Sequence, residues 1–363
     1  MLAQTGRSID HHLMAGPGKQ WGALMPDSRH YGTFGMYCLP IALLIVSLFV
    51  GRYHISASNV VDDSIRTFSS LLFGTTAPVS TDHTVLFNVR FPRIIAALLV
   101  GSALSTAGAS FQGVFRNPLV SPYILGVGAG AGFGACLGIL LGENHLVIQL
   151  SSFVFGLMAM FAAISMGKAS KGNGTLVFVL SGMIVGAIFT ALISLAKYVA
   201  DPYDQLPAIV FWLMGSLVNI RYIDIAWIIV PMFIGTLVLL LLRWRINILS
   251  LGDEEARALG VNVKNMRLII IICATLVTSA AVSISGVIGW IGLVVPHISR
   301  MVVGPNYNKL MPMSMIIGAS FMLVVDDLAR TVTVTEIPLG IITSLVGAPL
   351  FAYLLKRGRM GWN

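Results

Sequence analysis

Charge is scarce in this chain: 10% of its 363 residues are Asp, Glu, Lys or Arg, against 56% hydrophobic residues. A water-soluble domain carries about a quarter charged residues, so a mean hydropathy of +0.86 makes lipid the solvent. Cysteine is nearly missing as well. Cys38, Cys136 and Cys273 all fall inside apolar runs, which excludes a disulfide framework or thiolate metal site and points to core packing. Ionisable groups are rare at the centres of those runs, leaving little for ion coupling or intramembrane catalysis, so no catalytic residue is assigned. No Gly-x-x-x-x-Gly-Lys-Ser/Thr phosphate loop occurs, and the chain alone has no means of hydrolysing ATP. Histidines and cysteines at zinc-like spacing are lacking too. His297, next to Pro296, therefore reads as a helix-end hydrogen bonder, not a metal ligand, and the 17 scattered methionines read as packing and lining. No cleaved signal peptide is visible before the first apolar run.

What is present is a series of long apolar runs. A helical span needs about 20 mostly apolar residues. Barrel strands would alternate apolar and polar residues, whereas Ile94 to Leu104 and Ile225 to Leu242 are apolar on all sides, so the chain is all-α. About ten transmembrane helices are expected, at 36–50, 94–115, 122–141, 146–167, 176–195, 225–242, 268–285, 287–303, 310–325 and 337–355. Together they form one domain over 36–363. The stretch Ile209 to Leu217 is too short to cross and is expected to be re-entrant or interfacial, and residues 1–35 are expected to be a flexible tail.

The net charge of +8 is topological and does not signal nucleic acid. An even number of spans puts both termini on one side, and loops on that side hold 16 of the 23 basic residues. The positive-inside rule makes that side the cytoplasm of a bacterial or archaeal cytoplasmic membrane. The 37 glycines cluster inside spans. Gly126, Gly130, Gly134 and Gly138 would line one helix face and let a neighbouring backbone approach. A weak internal echo between Gly108–Pro122 and Ser283–Arg300 suggests an inverted repeat of the kind found in transporters.

The longest interior loop, 243–267, is amphipathic and far longer than an ordinary connector. Asp253 is a plausible N-cap, Glu254 and Glu255 put negative charge in the first turn, Arg257 sits four residues after Asp253, and Gly260 suits a C-terminal cap. A short helix of about two turns is expected, either lying on the membrane surface or binding a partner. On the opposite side Arg90, Arg93 and Arg330 run against the positive-inside bias. They either snorkel to lipid phosphates, pair with Asp326, Asp327 or Glu336, or meet a partner's carboxylates.

Four ordered blocks carry a resemblance: Val89–Gly101 with Ala107–Gln112 and Arg116–Leu119; Leu249–Val261; Gly289–Arg300; and Glu336–Phe351. The chain from about residue 36 onward resembles the FecCD/BtuC family, permease subunits of type II ABC importers for iron complexes, haem, cobalamin and oxyanions. The resemblance implies that Leu251, Gly252, Asp253, Glu254, Glu255, Ala256, Arg257, Leu259 and Gly260 couple to a cytoplasmic ABC ATPase, present in two copies. It further implies a second permease subunit, normally giving a homodimer, and a periplasmic or lipid-anchored substrate-binding protein docked on Arg90, Arg93 and Arg330. The only cofactors implied are ATP and Mg on the ATPase. Asn173 and Thr175 would form a cytoplasmic gate, with Ser181, Gly182 and Gly186 along the pathway. An iron complex such as a ferric siderophore is the expected cargo, with molybdate or tungstate, haem and cobalamin as alternatives. A motor-independent secondary transporter is the rival class.

Overall fold

The computed structural model describes residues 28–73, 80–142, 144–169 and 175–356, and among these every regular element is helical. In chain order the helices are α1 (Ser28–Phe49), α2 (Ala57–Phe73), α3 (Thr81–His83), α4 (Phe91–Phe115), α5 (Val127–Leu140), α6 (His145–Ala169), α7 (Thr175–Val199), α8 (Gln205–Met214), α9 (Tyr222–Leu241), α10 (Arg243–Leu249), α11 (Asp253–Ala258), α12 (Val263–Ser285), α13 (Ile291–Val303), α14 (Tyr307–Thr331) and α15 (Leu339–Lys356). A π-helical run, Thr84–Arg90, joins α3 to α4, and a 3-10 turn, Pro122–Leu125, leads into α5. The tail expected over residues 1–35 lies outside the described residues as far as position 27, and its remainder, 28–35, is corrected to the first two turns of α1.

The ten expected spans correspond one to one to α1, α4, α5, α6, α7, α9, α12, α13, α14 and α15. Among the described residues, six continuous helices are long and apolar enough to cross a bilayer by themselves: Thr81–Phe115, α6, α7 from Leu176, α9, α12 and α14. The remaining four are shorter apolar helices. Two expected boundaries are corrected. The third span does not run unbroken from Pro122, because Gly126 adopts φ +74° between the 3-10 turn and α5. The eighth begins at Ile291, after Gly286 at φ +68° and Trp290 at φ +70° have broken the chain away from α12. As expected, α8 is too short to span: its 10 residues rise about 15 Å.

Small residues set the packing distances. In lipid, helices gain no hydrophobic drive toward each other, so close backbone approach through glycine supplies the contact. Gly101 of α4 faces Gly318 of α14 so closely that a methyl on either would overlap the other's carbonyl, and a methyl on Gly108 would overlap the carbonyl of Gly292 of α13. On α5, a methyl at Gly130 would stand 2.6 Å from the Ala159 Cβ of α6, one at Gly134 2.9 Å from the Phe155 Cβ, and one at Gly138 2.9 Å from the Ile148 Cα. Three of the four glycines of the expected face thus form the seam between α5 and α6, while Gly126 meets Gly186 of α7.

α4 is the central helix. Its buried side includes Ile94, Ala97, Val100, Leu104 and Phe111, and α9, α12, α13 and α14 pack around it. The bundle has two distinct ends. One carries α10 and α11, and the other carries α2, α3, α8 and the loop after α14. The arrangement sets α4, running from the α2 end to the α11 end, antiparallel to α12.

Candidate functional site

At the α11 end, a short helix is held against the bundle by one carboxylate. The chain turns at Gly252, whose φ of +152° no side chain adopts comfortably. Gly252, not Asp253, is the N-cap, and no side chain caps the helix. That corrects the expected role of Asp253. Its carboxylate is committed elsewhere: Oδ1 accepts from Arg267 Nη2 of α12 at 2.8 Å and from Arg116 Nη2, just past the end of α4, at 3.3 Å. Arg116 reaches it from a left-handed conformation, φ +49°. One acidic residue therefore joins the first turn of α11 to both α4 and α12.

The rest of the expected coupling stretch divides by exposure. Ala256 is fully buried and Gly252 is buried, anchoring the helix, while Leu251, Glu254, Glu255, Arg257, Leu259 and Gly260 face outward. The C-terminus follows the expected form: Gly260 takes φ +76°, its N–H bonds the Arg257 carbonyl at 2.9 Å, and Val261 bonds that of Ala256 at 2.9 Å. The helix is 6 residues long, close to the two turns expected. Leu251 and Leu259, 62% and 58% exposed, stand at the two ends of the helix and leave an apolar-rimmed charged knob on the surface.

At the α2 end, Arg90, Arg93 and Arg330 are all buried and turned into their own chain. Arg93 Nε donates to Asp326 at 2.8 Å, and its Nη1 lies 2.7 Å from Glu336 Oε2. Arg330 bonds Asp327, the Ser47 carbonyl at 2.8 Å and the Ser47 hydroxyl at 2.6 Å. Arg90 donates to the carbonyls of Leu48, at 2.5 Å, and of Tyr53. Of the sequence alternatives, pairing with Asp326, Asp327 and Glu336 is the arrangement seen for Arg93 and Arg330. Arg90, the last residue of the π-helical run, thus reaches α1, while Arg93, three residues on in α4, reaches α14. Nearby, the hydrogen bond that Tyr53 donates to Asp82 at 2.7 Å holds the tyrosine phenol above its usual range.

The same end holds a cavity of about 630 Å³, whose walls include Arg52, His145, Trp212, Asn219 and Glu336. Below it lies a buried carboxylate that sequence reasoning did not single out. Asp224 is fully buried, accepts from the Arg221 backbone N–H at 2.8 Å, and lies 3.7 Å from His145 Nε2. The signal for it was modest: one acid in the first turn of an otherwise apolar helix.

Of the expected gate and pathway residues, Asn173 lies outside the described residues, and Thr175 opens α7. Ser181 is buried, and Gly182 and Gly186 pack against Ile124, Leu125 and Gly126 at the 3-10 turn. They seat α7 on that turn, while Met183, Ile184 and Ile188 occupy its exposed side. His297 does not hydrogen-bond as expected: neither ring nitrogen has a partner among the described residues, and the ring stands edge-on to Phe351 at 6.2 Å. Cys136 is buried and Cys273 half-buried, but Cys38 is exposed, against the expectation of core packing. Among the described residues, no group of three or more His, Cys, Asp or Glu side chains is placed to hold a metal.

Comparison with known proteins supplies the context for these two ends. Residues 39–357 match the family model described as the FecCD transport family. The chain is 39% identical over 343 residues to the molybdate import system permease protein MolB of Haemophilus influenzae, covering 93% of this chain and 99% of that one. It is 41% identical over 327 residues to a permease protein of Helicobacter pylori named for an iron chelatin transport system, covering 90% and 98%. A solved transporter, described as of metal-chelate type and in an inward-facing conformation, superposes with a TM-score of 0.80 at 38% identity, covering 90% of this chain and 99% of that chain.

Proposed function

The chain belongs to the FecCD transport family and is a membrane permease of an ABC transporter, working with a separate ATPase and another permease, and we propose that it imports a metal complex, an iron chelate foremost. The observation that carries the coupling to an ATPase is α11: a short, acidic, leucine-flanked helix exposed at one end of the bundle and tied by Asp253 to α4 and α12. In this reading the α11 end is cytoplasmic, as the basic-residue bias requires. The ATPase binds Leu251 to Gly260, and a homodimer of this chain encloses the pathway.

The chemistry assigned to the chain is mechanical. When the paired ATPases close, α11 moves with them. Because Asp253 grips both Arg267 and Arg116, the displacement is delivered together to α12 and to α4, the central helix. Glycine contacts with no free space make α4, α13 and α14 move as a block. At the far end, the rim built on Arg90, Arg93 and Arg330 is where a substrate-binding protein docks, its acidic groups competing with Asp327 and Glu336 for the arginine forks. Asn173 and Thr175 serve as the gate on the ATPase side.

Iron chelate leads because a 41% identical relative bears that name. Molybdate is the second reading, favoured by a 39% identical relative covered over 99% of its length. The test is uptake by proteoliposomes holding the permease, its ATPase and its binding protein. ATP-dependent accumulation of radio-iron chelate, and not of radio-molybdate, is expected. The reverse selectivity would establish the second reading, and accumulation driven by an ion gradient without ATP would overturn both. Charge reversal at Arg330 is expected to weaken binding-protein affinity, and unchanged affinity in a folded variant would remove the rim from the docking surface.

A further inference from the structure

Between α1 and α4 the chain forms α2, a helix whose surface divides into three strips. At about 100° per residue, Val60, Asp63 and Thr67 fall on one side, Asn59, Asp62 and Arg66 on a second, and Val61, Ile65, Phe68 and Leu72 on a third. The strips stand roughly 120° apart. The first meets protein: Val60 is buried with Ile55 and Leu86, Asp63 accepts from Ser80 at 3.4 Å, and Thr67 bonds the His83 ring at 3.1 Å. The second is exposed and polar, with Asn59 pinned to Asp82 at 2.6 Å. The third is apolar yet bare: Val61, Ile65, Phe68 and Leu72 are 53%, 62%, 64% and 62% exposed.

Two observations fix where this bare strip sits. Leu48, in the last turn of α1, packs into the same cluster as Val60 and Leu86, so α2 lies level with the end of a membrane-crossing helix and not above it. Up to that level α1 itself shows bare apolar residues, Ile41, Ile45, Val46 and Phe49, so α2 adds its apolar strip beside a helix that is itself bare and apolar. A helix with one face on protein, one charged and one apolar, placed at the height where spans end, matches the geometry of an interfacial amphipathic helix.

We propose that α2 lies along the lipid headgroup boundary, with Val61, Ile65, Phe68 and Leu72 sunk among the ends of the acyl chains and Asp62 and Arg66 toward water. It acts as a float that sets how deeply this end of the bundle sits. The occupant of the apolar strip is phospholipid, and the assignment holds whichever way the chain is oriented in the bilayer. Nitroxides on Phe68→Cys, Ile65→Cys and Asp62→Cys, each with Cys38→Ser and measured in the assembled transporter in phospholipid nanodiscs, test it through collisions with oxygen and with a water-soluble nickel chelate. The labels at 65 and 68 are expected to meet oxygen preferentially and the label at 62 nickel. Equal nickel access at all three sites would overturn the proposal by placing the strip in water. Shielding of 65 and 68 from both reagents would overturn it equally, because protein and not lipid would then cover the strip. All three positions are exposed, so labelling removes no core contact.

Discussion

Replacing Asp253 with Asn keeps the shape of the side chain and removes the charge that joins α11 to two spans. Its bond to Arg267 is the stronger one, at 2.8 Å with the arginine side chain 11% exposed; the bond to Arg116 is 3.3 Å with that side chain 39% exposed. Hydrogen bonds to charged groups contribute about 1.5–3 kcal/mol when sheltered, and exposed ion pairs about 0–1 kcal/mol. Asp253 is 31% exposed, so the Arg267 contact is discounted to about 1–2 kcal/mol and the Arg116 contact to a few tenths. A loss of about 1–2 kcal/mol shifts a two-state balance roughly 5- to 30-fold. In proteoliposomes, Asp253→Asn is therefore expected to leave ATP hydrolysis running while cargo moved per ATP falls by about that factor. Arg267→Gln should reproduce most of the loss and Arg116→Gln little of it. In the double variant Asp253→Asn with Arg267→Gln, the two losses should overlap instead of adding. Full additivity, or a larger effect at Arg116 than at Arg267, would refute the reasoning.

Arg93→Gln strips the main counter-charge from fully buried Asp326, leaving it only Arg330 at 3.8 Å; a cost of about 3–5 kcal/mol is expected as a lowered unfolding temperature in detergent, partly restored by Asp326→Asn. Gly134→Leu forces a side chain into the backbone of α6 and is expected to cost about 1–3 kcal/mol or more, read by the same thermal unfolding, whereas Gly35→Ala, with nothing within 4 Å, should be silent. Leu259→Asp changes a 58% exposed residue, so the unfolding temperature should hold while copurification of the ATPase drops.

The spans were legible because a 20-residue apolar run has few other meanings, and even α8 was visible as a run too short to cross. The elements that escaped lie where composition is mixed. α2 alternates polar and apolar residues, and its 3.6-residue period at Val61, Ile65, Phe68 and Leu72 emerges only once its packed side is known. Asp253 looked like an N-cap because the residue type and position fit. What no local pattern shows is Arg267, 14 residues on, and Arg116, 137 residues back, which claim the carboxylate. Ser181, Gly182 and Gly186 were assigned to the pathway from the family resemblance, and what the sequence alone does not show is that Gly182 and Gly186 meet Ile124, Leu125 and Gly126.

The clasp around Arg93 and Ser47 also bears on how the chain is made. Arg93 is separated from Asp326 by 233 residues, and Ser47 from Asp327 by 280. At about 5–20 residues per second of synthesis, the arginine enters the membrane roughly 10–50 s before its counter-charge exists. Over that interval α1 and α4 reside in the bilayer unclasped, with a guanidinium at the end of α4 that must reach toward the headgroups for company. The last helix hairpin to leave the ribosome is thus the one that locks the first helix down, and a chain truncated before Asp326 would present quality-control proteases with a bundle whose opening helix never closes.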